Sequence, residues 1–283
     1  MVAASRYPRA GGGPQRRWRP AAKTPATALA TLDVMHTLDS QQPAEGDVAG
    51  QPAAVTRAPS RGAKYAVEAI GTFVLIFTCG AAVGSGSALA PLAIGGALMV
   101  MVYAGGYVSG GHYNPAVTLA VLVRHGIRLR DAVGYWVAQW GSGLAAAAAV
   151  RWIIGPIQAG VPAHRPIAVF VVESIFTFAL CYVVLSVATS KHHPDNSYFG
   201  LAIGFTVASG GLAVGGISGG AFNPAVAVAG VAMGMVAWPT LWIYLTAQGI
   251  AAAGAGVAFL LLDPQAAMGR RPRSGRAASA SAA

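Results

Sequence analysis

The sequence predicts an all-α membrane protein, six transmembrane helices plus two re-entrant half-helices arranged as an inverted repeat. Three observations predict it. Hydrophobic residues make up 55% of the 283 and charged residues only 10%, against about 25% charged in an ordinary soluble domain. No Asp, Glu, Lys or Arg occurs between Ala69 and Val123, or between Asn196 and Leu262. Each stretch far exceeds the roughly 20 residues of one span, so each must fold back through the bilayer. Finally, the second half of the chain repeats the first around a shared Asn-Pro-Ala motif.

Residues 1–63 are rich in Ala, Pro, Gly and Arg without a sustained apolar period, and read as a disordered basic tail. Arg16-Arg17 is followed by Trp18-Arg19-Pro20, where a twin-arginine leader would need an apolar region, so it is not read as one. Met35 is a candidate alternative start. A membrane domain over 64–262 then carries spans near 65–85, 89–109 and 131–152 in its first half, and near 166–189, 198–217 and 238–262 in its second. Residues 114–124 and 223–234 each open on Asn-Pro-Ala and are too short to cross. They read as re-entrant, since non-helical backbone at membrane depth is tolerated only inside protein or beside a wet cavity. The second and fifth spans are Gly-rich (Gly95, Gly96, Gly105 and Gly106; Gly200, Gly204, Gly210, Gly211, Gly215 and Gly216). Small residues of that kind let membrane helices approach closely. Residues 263–283 form a second basic tail, also read as disordered.

The net charge of +10 sits mostly outside the spans. Nine of the 19 Lys and Arg lie between Arg6 and Lys64, and Arg270, Arg271, Arg273 and Arg276 follow the last span. With six crossings the tails share a side with Arg124, Arg128, Arg130 and Lys191, leaving Arg151 and Arg165 opposite, a split of 17 to 2. The positive-inside rule therefore places both termini in the cytoplasm of a multi-pass protein of the plasma membrane. A basic tail is not the basic face of a folded domain, so no nucleic-acid partner is expected. Membrane lipids are the expected neighbours, and the tail offers contact with anionic headgroups. Cys79 and Cys181 fall inside apolar runs and read as packing residues. No metal-ligand spacing, cofactor motif, catalytic pair or phosphate loop stands out, so no enzyme is expected.

Ser109-Gly110-Gly111-His112-Tyr113-Asn114-Pro115-Ala116-Val117 returns as Ser218-Gly219-Gly220-Ala221-Phe222-Asn223-Pro224-Ala225-Val226, at an offset of 109. The same offset carries Tyr135 and Ala138-Gln139 onto Tyr244 and Ala247-Gln248. Glu68 with Thr72-Phe73 recurs as Glu173 with Thr177-Phe178, at an offset of 105. Three spans per half put the second half in the membrane upside down, and inverted repeats place their functional site at the midplane between the halves.

Asn is a favoured N-cap and Pro a favoured first helical residue. If Asn114 and Asn223 cap their half-helices through their carbonyl oxygens, each leaves its amide NH₂ to donate. Two half-helices meeting tip to tip bring both NH₂ groups and both positive dipole ends to one point. A passing water or hydroxyl would offer its oxygen there and turn its hydrogens away, which interrupts proton conduction, while the dipole ends repel cations.

These motifs resemble the major intrinsic protein family, the aquaporins and glycerol facilitators. The likeness rests on Glu68-Ala-Ile-Gly-Thr-Phe, Ser109-Gly-Gly-His-Tyr-Asn-Pro-Ala-Val-Thr and Ser218-Gly-Gly-Ala-Phe-Asn-Pro-Ala-Val, and covers roughly 64–262. It implies one pore per protomer for water and small neutral solutes, and a homotetramer. It implies that Asn114, Pro115, Ala116, Asn223, Pro224 and Ala225 meet in the pore. It implies that Glu68 and Glu173 hold the re-entrant loops through hydrogen bonds to backbone. The family's outer constriction falls, by counting from the two Asn residues, on Ile94, Gly211, Gly220 and Val226. The family usually has Arg directly after the second Asn-Pro-Ala, where this chain has Val226. That difference removes a fixed cation and a fork of donors. Two glycines and two aliphatic residues then predict a wide, apolar filter, passable to a solute larger than water such as glycerol, urea or a metalloid hydroxide.

Other polar residues admit two readings. Glu68 and Glu173 as intramembrane carboxylates could form a proton relay, and His112 could gate the inner vestibule. His192-His193 could sense pH, or be plain solvated loop residues. Gln139 and Gln248 are expected to hold helices together. Tyr135, Trp136, Trp152, Trp238 and Trp242 suit interfacial belts or packing. Beside a passive channel, an ion-coupled inverted-repeat transporter and a closed-pore structural protein remain open; saturation and ion dependence of flux separate them.

Overall fold

The computed structural model describes residues 58–157, 165–192 and 196–263. The expected tail up to residue 57, Met35 with it, His193 and the tail beyond Asp263 lie outside them.

The first half consists of α1 (Arg61–Gly84), α2 (Ala90–Ser109), the short α3 (Pro115–Val123) and α4 (Leu129–Ile153). The second repeats it as α5 (Pro166–Thr189), α6 (Phe199–Ser218), the short α7 (Pro224–Met233) and α8 (Leu241–Leu262), the last entered through a 3₁₀ turn at Trp238–Thr240. Helices α1, α2, α5, α6 and the Trp238–Leu262 stretch are long and apolar enough to cross a membrane. Helix α4 is as long, with 25 residues, but Gln139, Ser142, its glycines and its alanines replace large aliphatic side chains. One expected boundary changes. The first helix starts at Arg61, inside the segment expected to be tail, because the Ser60 side chain accepts a hydrogen bond from Ala63 N and caps it.

The packing follows the repeat. Helix α1 lies against α4 and α5 against α8; the short α3 packs on α8, and the short α7 on α4. Each half-helix thus rests on the last helix of the other half, which interlocks the two repeats. The halves also cross where α2 meets α6. A Cβ added at Gly95 would lie 2.4 Å from the Gly204 carbonyl oxygen, and one at Gly204 would lie 2.5 Å from that of Gly95. These two glycines are equivalent in the repeat. With no hydrophobic effect between lipid-solvated helices, such backbone proximity is what gains dispersion energy.

Aromatic residues sort into both expected roles. Trp152, Trp238 and Trp242 are exposed on the outside of the bundle, as membrane-interface residues are. Tyr135 is buried, and Trp136 donates its indole N–H to the Pro115 carbonyl at 3.1 Å. Cys79 and Cys181 are buried free thiols.

Because the α2–α6 crossing admits no side chain, Gly204→Leu is expected to destabilise the fold by about 1–3 kcal/mol or more. Thermal unfolding in detergent, read by tryptophan fluorescence, checks this; an unchanged transition would show that the crossing can open freely.

Candidate functional site: a pore lined by two inverted loops

The loops before the half-helices carry the same backbone. Gly110, Gly111 and Tyr113 have φ of 94°, 63° and 48°; their counterparts Gly219, Gly220 and Phe222 have 82°, 67° and 46°. Left-handed backbone is cheap at glycine but costly at an aromatic residue, so Tyr113 and Phe222 must be held. Glu68 and Glu173, both fully buried, hold them. Glu68 Oε1 accepts from Ser109 Oγ at 2.7 Å and His112 N at 2.9 Å, and its Oε2 from Tyr113 N at 2.7 Å and Gln139 Nε2 at 2.9 Å. Glu173 Oε1 accepts from Ser218 Oγ at 2.6 Å and Ala221 N at 3.0 Å, and its Oε2 from Phe222 N at 2.8 Å and Gln248 Nε2 at 2.9 Å. Four donors occupy each carboxylate's acceptor capacity, which is loop support and leaves no site for relaying a proton. The hydroxyls of Tyr135 and Tyr244 complete the clamps, donating to the carbonyls of Ser109 at 2.5 Å and Ser218 at 2.6 Å.

This arrangement dictates what faces the cavity. Gly111 N and Gly220 N turn back to Ser109 Oγ and Ser218 Oγ, and the next two N–H groups of each loop go to the glutamates. The loop carbonyls are left over. Those of Gly111, His112, Gly219, Gly220 and Ala221 belong to residues lining the central cavity, and none accepts a hydrogen bond from a described residue.

Asn114 and Asn223 cap the half-helices as expected, accepting from Ala116 N at 2.8 Å and Ala225 N at 2.9 Å. The expectation that the whole NH₂ of each stays free is corrected. Asn114 Nδ2 donates to the Phe222 carbonyl at 2.9 Å, and Asn223 Nδ2 to the Tyr113 carbonyl at 3.0 Å. One N–H of each amide therefore ties one repeat to the other and one remains for the cavity, which both Asn residues line. Pro115, Ala116, Pro224 and Ala225 are buried behind them.

The central cavity, of about 50 Å³, opens into an outer one of about 420 Å³. Ile94, Gly211, Gly220 and Val226 all line the outer cavity, together with Pro91 and Val207. A Cβ at Gly220 would lie 3.3 Å from Gly211 Cα, whereas one at Gly211 would lie 2.9 Å from Pro91 Cβ. No Arg, Lys, Asp or Glu lines either cavity among the described residues. Arg151 instead donates to the Ala232 carbonyl at 3.0 Å from an exposed position. Ile94, Gly220 and Val226 line the central cavity as well, and of the four only Gly211 is confined to the outer one. Sequence reasoning did not identify Leu180 and Val184 of α5, Ile203 of α6, or Cys79 of α1 as lining residues. Uniformly apolar helices show no face until they pack.

The sequence model of the major intrinsic proteins matches residues 54–259. The chain belongs to the major intrinsic protein family. It is 36% identical over 201 residues to "Glycerol uptake facilitator protein-like 6" of Lactiplantibacillus plantarum, covering 67% of this chain and 93% of that one. It is 37% identical to aquaporin NIP2-1 of Oryza sativa subsp. japonica, covering 64% of each chain. The aquaglyceroporin structure from Plasmodium falciparum shares the fold, with a TM-score of 0.63 at 20% identity, covering 74% of this chain and all of that one. This member of the major intrinsic proteins is therefore an integral multi-pass membrane protein and a channel for water and small solutes, not an enzyme.

Outside the pore, His192 lies 3.5 Å from Asp263, whose other oxygen accepts from Ser190 Oγ at 3.2 Å. Arg124 donates to the Thr189 carbonyl at 2.6 Å and covers the Phe259 ring at 5.2 Å. These contacts join the ends of α3, α5 and α8.

Since each glutamate serves four donors, Glu173→Gln would set an amide NH₂ against donors it cannot satisfy. A loss of about 3 kcal/mol is expected, read as a lower unfolding transition in detergent. A melting temperature equal to wild type would remove the carboxylate from this role.

Proposed function

We propose that this channel carries neutral solutes larger than water, with glycerol as the type case, alongside water itself. The observation that carries the reading is Val226, which lines the outer cavity with Ile94, Gly211 and Gly220 and no fixed cation beside them. An Arg there would fill the space and present a fork of donors; Val, Ile and two glycines leave a broad passage with hydrocarbon on one wall. The loop carbonyls supply acceptors on the other. A polyol suits such a path, since its hydroxyls bond the carbonyls and its C–H groups face the hydrocarbon. The remaining N–H of each Asn receives the solute's oxygen at the centre, and the two half-helix N-termini oppose cations there.

The surroundings of the site follow from the charge pattern and the family. Both termini lie in the cytoplasm of a plasma-membrane protein, supported by the 17 to 2 split of basic residues. The assembly is a homotetramer with one pore per protomer, as the family resemblance implies. Lipids surround it, and the basic tails meet anionic headgroups.

In proteoliposomes, stopped-flow light scattering is expected to show fast shrinkage in glycerol followed by fast reswelling. Val226→Arg is expected to lower glycerol permeability at least about ten-fold, the effect of losing roughly 1.4 kcal/mol at the barrier, while water flux persists. Wild-type shrinkage without accelerated reswelling would mean that the pore selects water. Protease or label placed outside intact cells is expected to leave a tag on either terminus untouched; reaction with both would invert the topology.

A further inference from the structure

Threonine in a membrane helix ordinarily returns its hydroxyl to a carbonyl of its own preceding turn, where the bilayer offers no other acceptor. Six of the eight threonines among the described residues do so. Thr78, Thr118, Thr189, Thr206 and Thr246 donate to the carbonyl four residues back, and Thr240 to the one three back. The two that do not are Thr72 and Thr177, whose hydroxyls are sealed from solvent and meet no hydrogen-bond partner. They occupy equivalent places in the repeat. A second matched pair shares the condition: Gln139 Oε1 and Gln248 Oε1 are also sealed and unpartnered. All four side chains are fully buried.

The glutamine oxygens are fixed in direction. Gln139 Nε2 donates to Glu68 Oε2 at 2.9 Å, and Gln248 Nε2 to Glu173 Oε2 at 2.9 Å. An ionised carboxylate only accepts, so it draws the NH₂ end of each amide toward itself and leaves the oxygen on the other side. The packing then brings each threonine beside its glutamine. Along the contact of α1 with α4, Tyr65 meets Gly134, Glu68 meets Gln139 and Ile76 meets Gly143. Thr72 stands one turn beyond Glu68 on the same helix face, between the last two of these contacts. Thr177 stands likewise one turn beyond Glu173, which holds Gln248. Each clamp thus carries a hydroxyl hydrogen without an acceptor and an amide oxygen without a donor, and the two do not reach one another.

Buried polar groups left unmet are costly, and native structures pair nearly all of them. The molecule that accepts from a hydroxyl and donates to an amide oxygen is water, with two hydrogens and two lone pairs. A cation finds no carboxylate ligand here, since four donors already occupy each glutamate. We propose that each glutamate clamp holds one resident water, bridging Thr72 Oγ1 to Gln139 Oε1 in the first half and Thr177 Oγ1 to Gln248 Oε1 in the second. None of these four residues lines the central or the outer cavity, so both sites lie apart from the transported file. The water holds the plane of each glutamine amide, and through it the N–H given to the carboxylate that carries the loop.

High-resolution electron density from the full chain is expected to show a peak about 2.6–3.2 Å from both oxygens in each half. Thr72→Ser is expected to keep its peak and Thr72→Val to lose it. Threonine hydroxyls turned back onto the Glu68 and Glu173 carbonyls, with no peak beside them, would overturn the proposal. Thermal unfolding in detergent gives a second reading, whose sign separates the alternatives. With bridging waters, Thr72→Val and Thr177→Val are each expected to lower the transition by about 2–4 °C, the worth of one hydrogen bond in a domain of this size. Replacing a hydroxyl that lacks any partner by a methyl group of the same shape leaves the transition unchanged or raises it. That result in both variants would overturn the resident waters.

Discussion

Two buried carboxylates organise this channel. Glu68 and Glu173 each gather two backbone N–H groups, a serine hydroxyl and a glutamine amide from three separate segments. Burying a carboxylate is expensive unless it is fully hydrogen-bonded, and here the bonds come from the loops that need holding. With the loop N–H groups drawn toward the glutamates, the loop carbonyls are left without partners among the described residues, and they join Asn114, Asn223 and His112 as polar groups of residues lining the cavity. Left-handed Tyr113 and Phe222, otherwise strained, are the hinge of that arrangement.

The same economy holds at the centre. Each Asn amide does three things: its oxygen caps a half-helix, one N–H bonds the carbonyl of the opposite loop, and the other N–H is left for the solute. The crossed bonds fix the pair, so the donors beside the central cavity do not have to be reorganised. A donor pair held in place between acceptors is the kind of arrangement that orients hydrogen bonds along a pore.

Symmetry explains the scaffold, and one break in it, His112 against Ala221, falls at the central cavity. Gly95 and Gly204, Glu68 and Glu173, Tyr135 and Tyr244, Gln139 and Gln248 serve identical ends in the two halves. His112 against Ala221, and Thr118 against Ala227, do not. Val226 repeats Val117, yet lines the outer cavity at a place where the family usually carries a cation. A scaffold built twice can be tuned once on each side, because the clamps hold the loops whatever the residues between them present to the solute.

Much of this was legible in the chain itself. Uncharged stretches too long for one crossing, an odd number of spans per half and paired Asn-Pro-Ala motifs determine an inverted repeat, since a lipid environment permits little besides satisfied helices. The capping role of Asn114 and Asn223 follows from local chemistry. What only the tertiary structure decided lies between segments distant in sequence. The bond from Asn114 to Phe222, the choice of Leu180, Val184 and Cys79 as lining, and the Thr118 contact that orients His112 are examples. Periodicity cannot reveal these, because an apolar helix in a membrane has no polar face to mark its inside, and a side-chain amide with two hydrogens does not disclose in sequence which partner takes each. Packing makes both decisions.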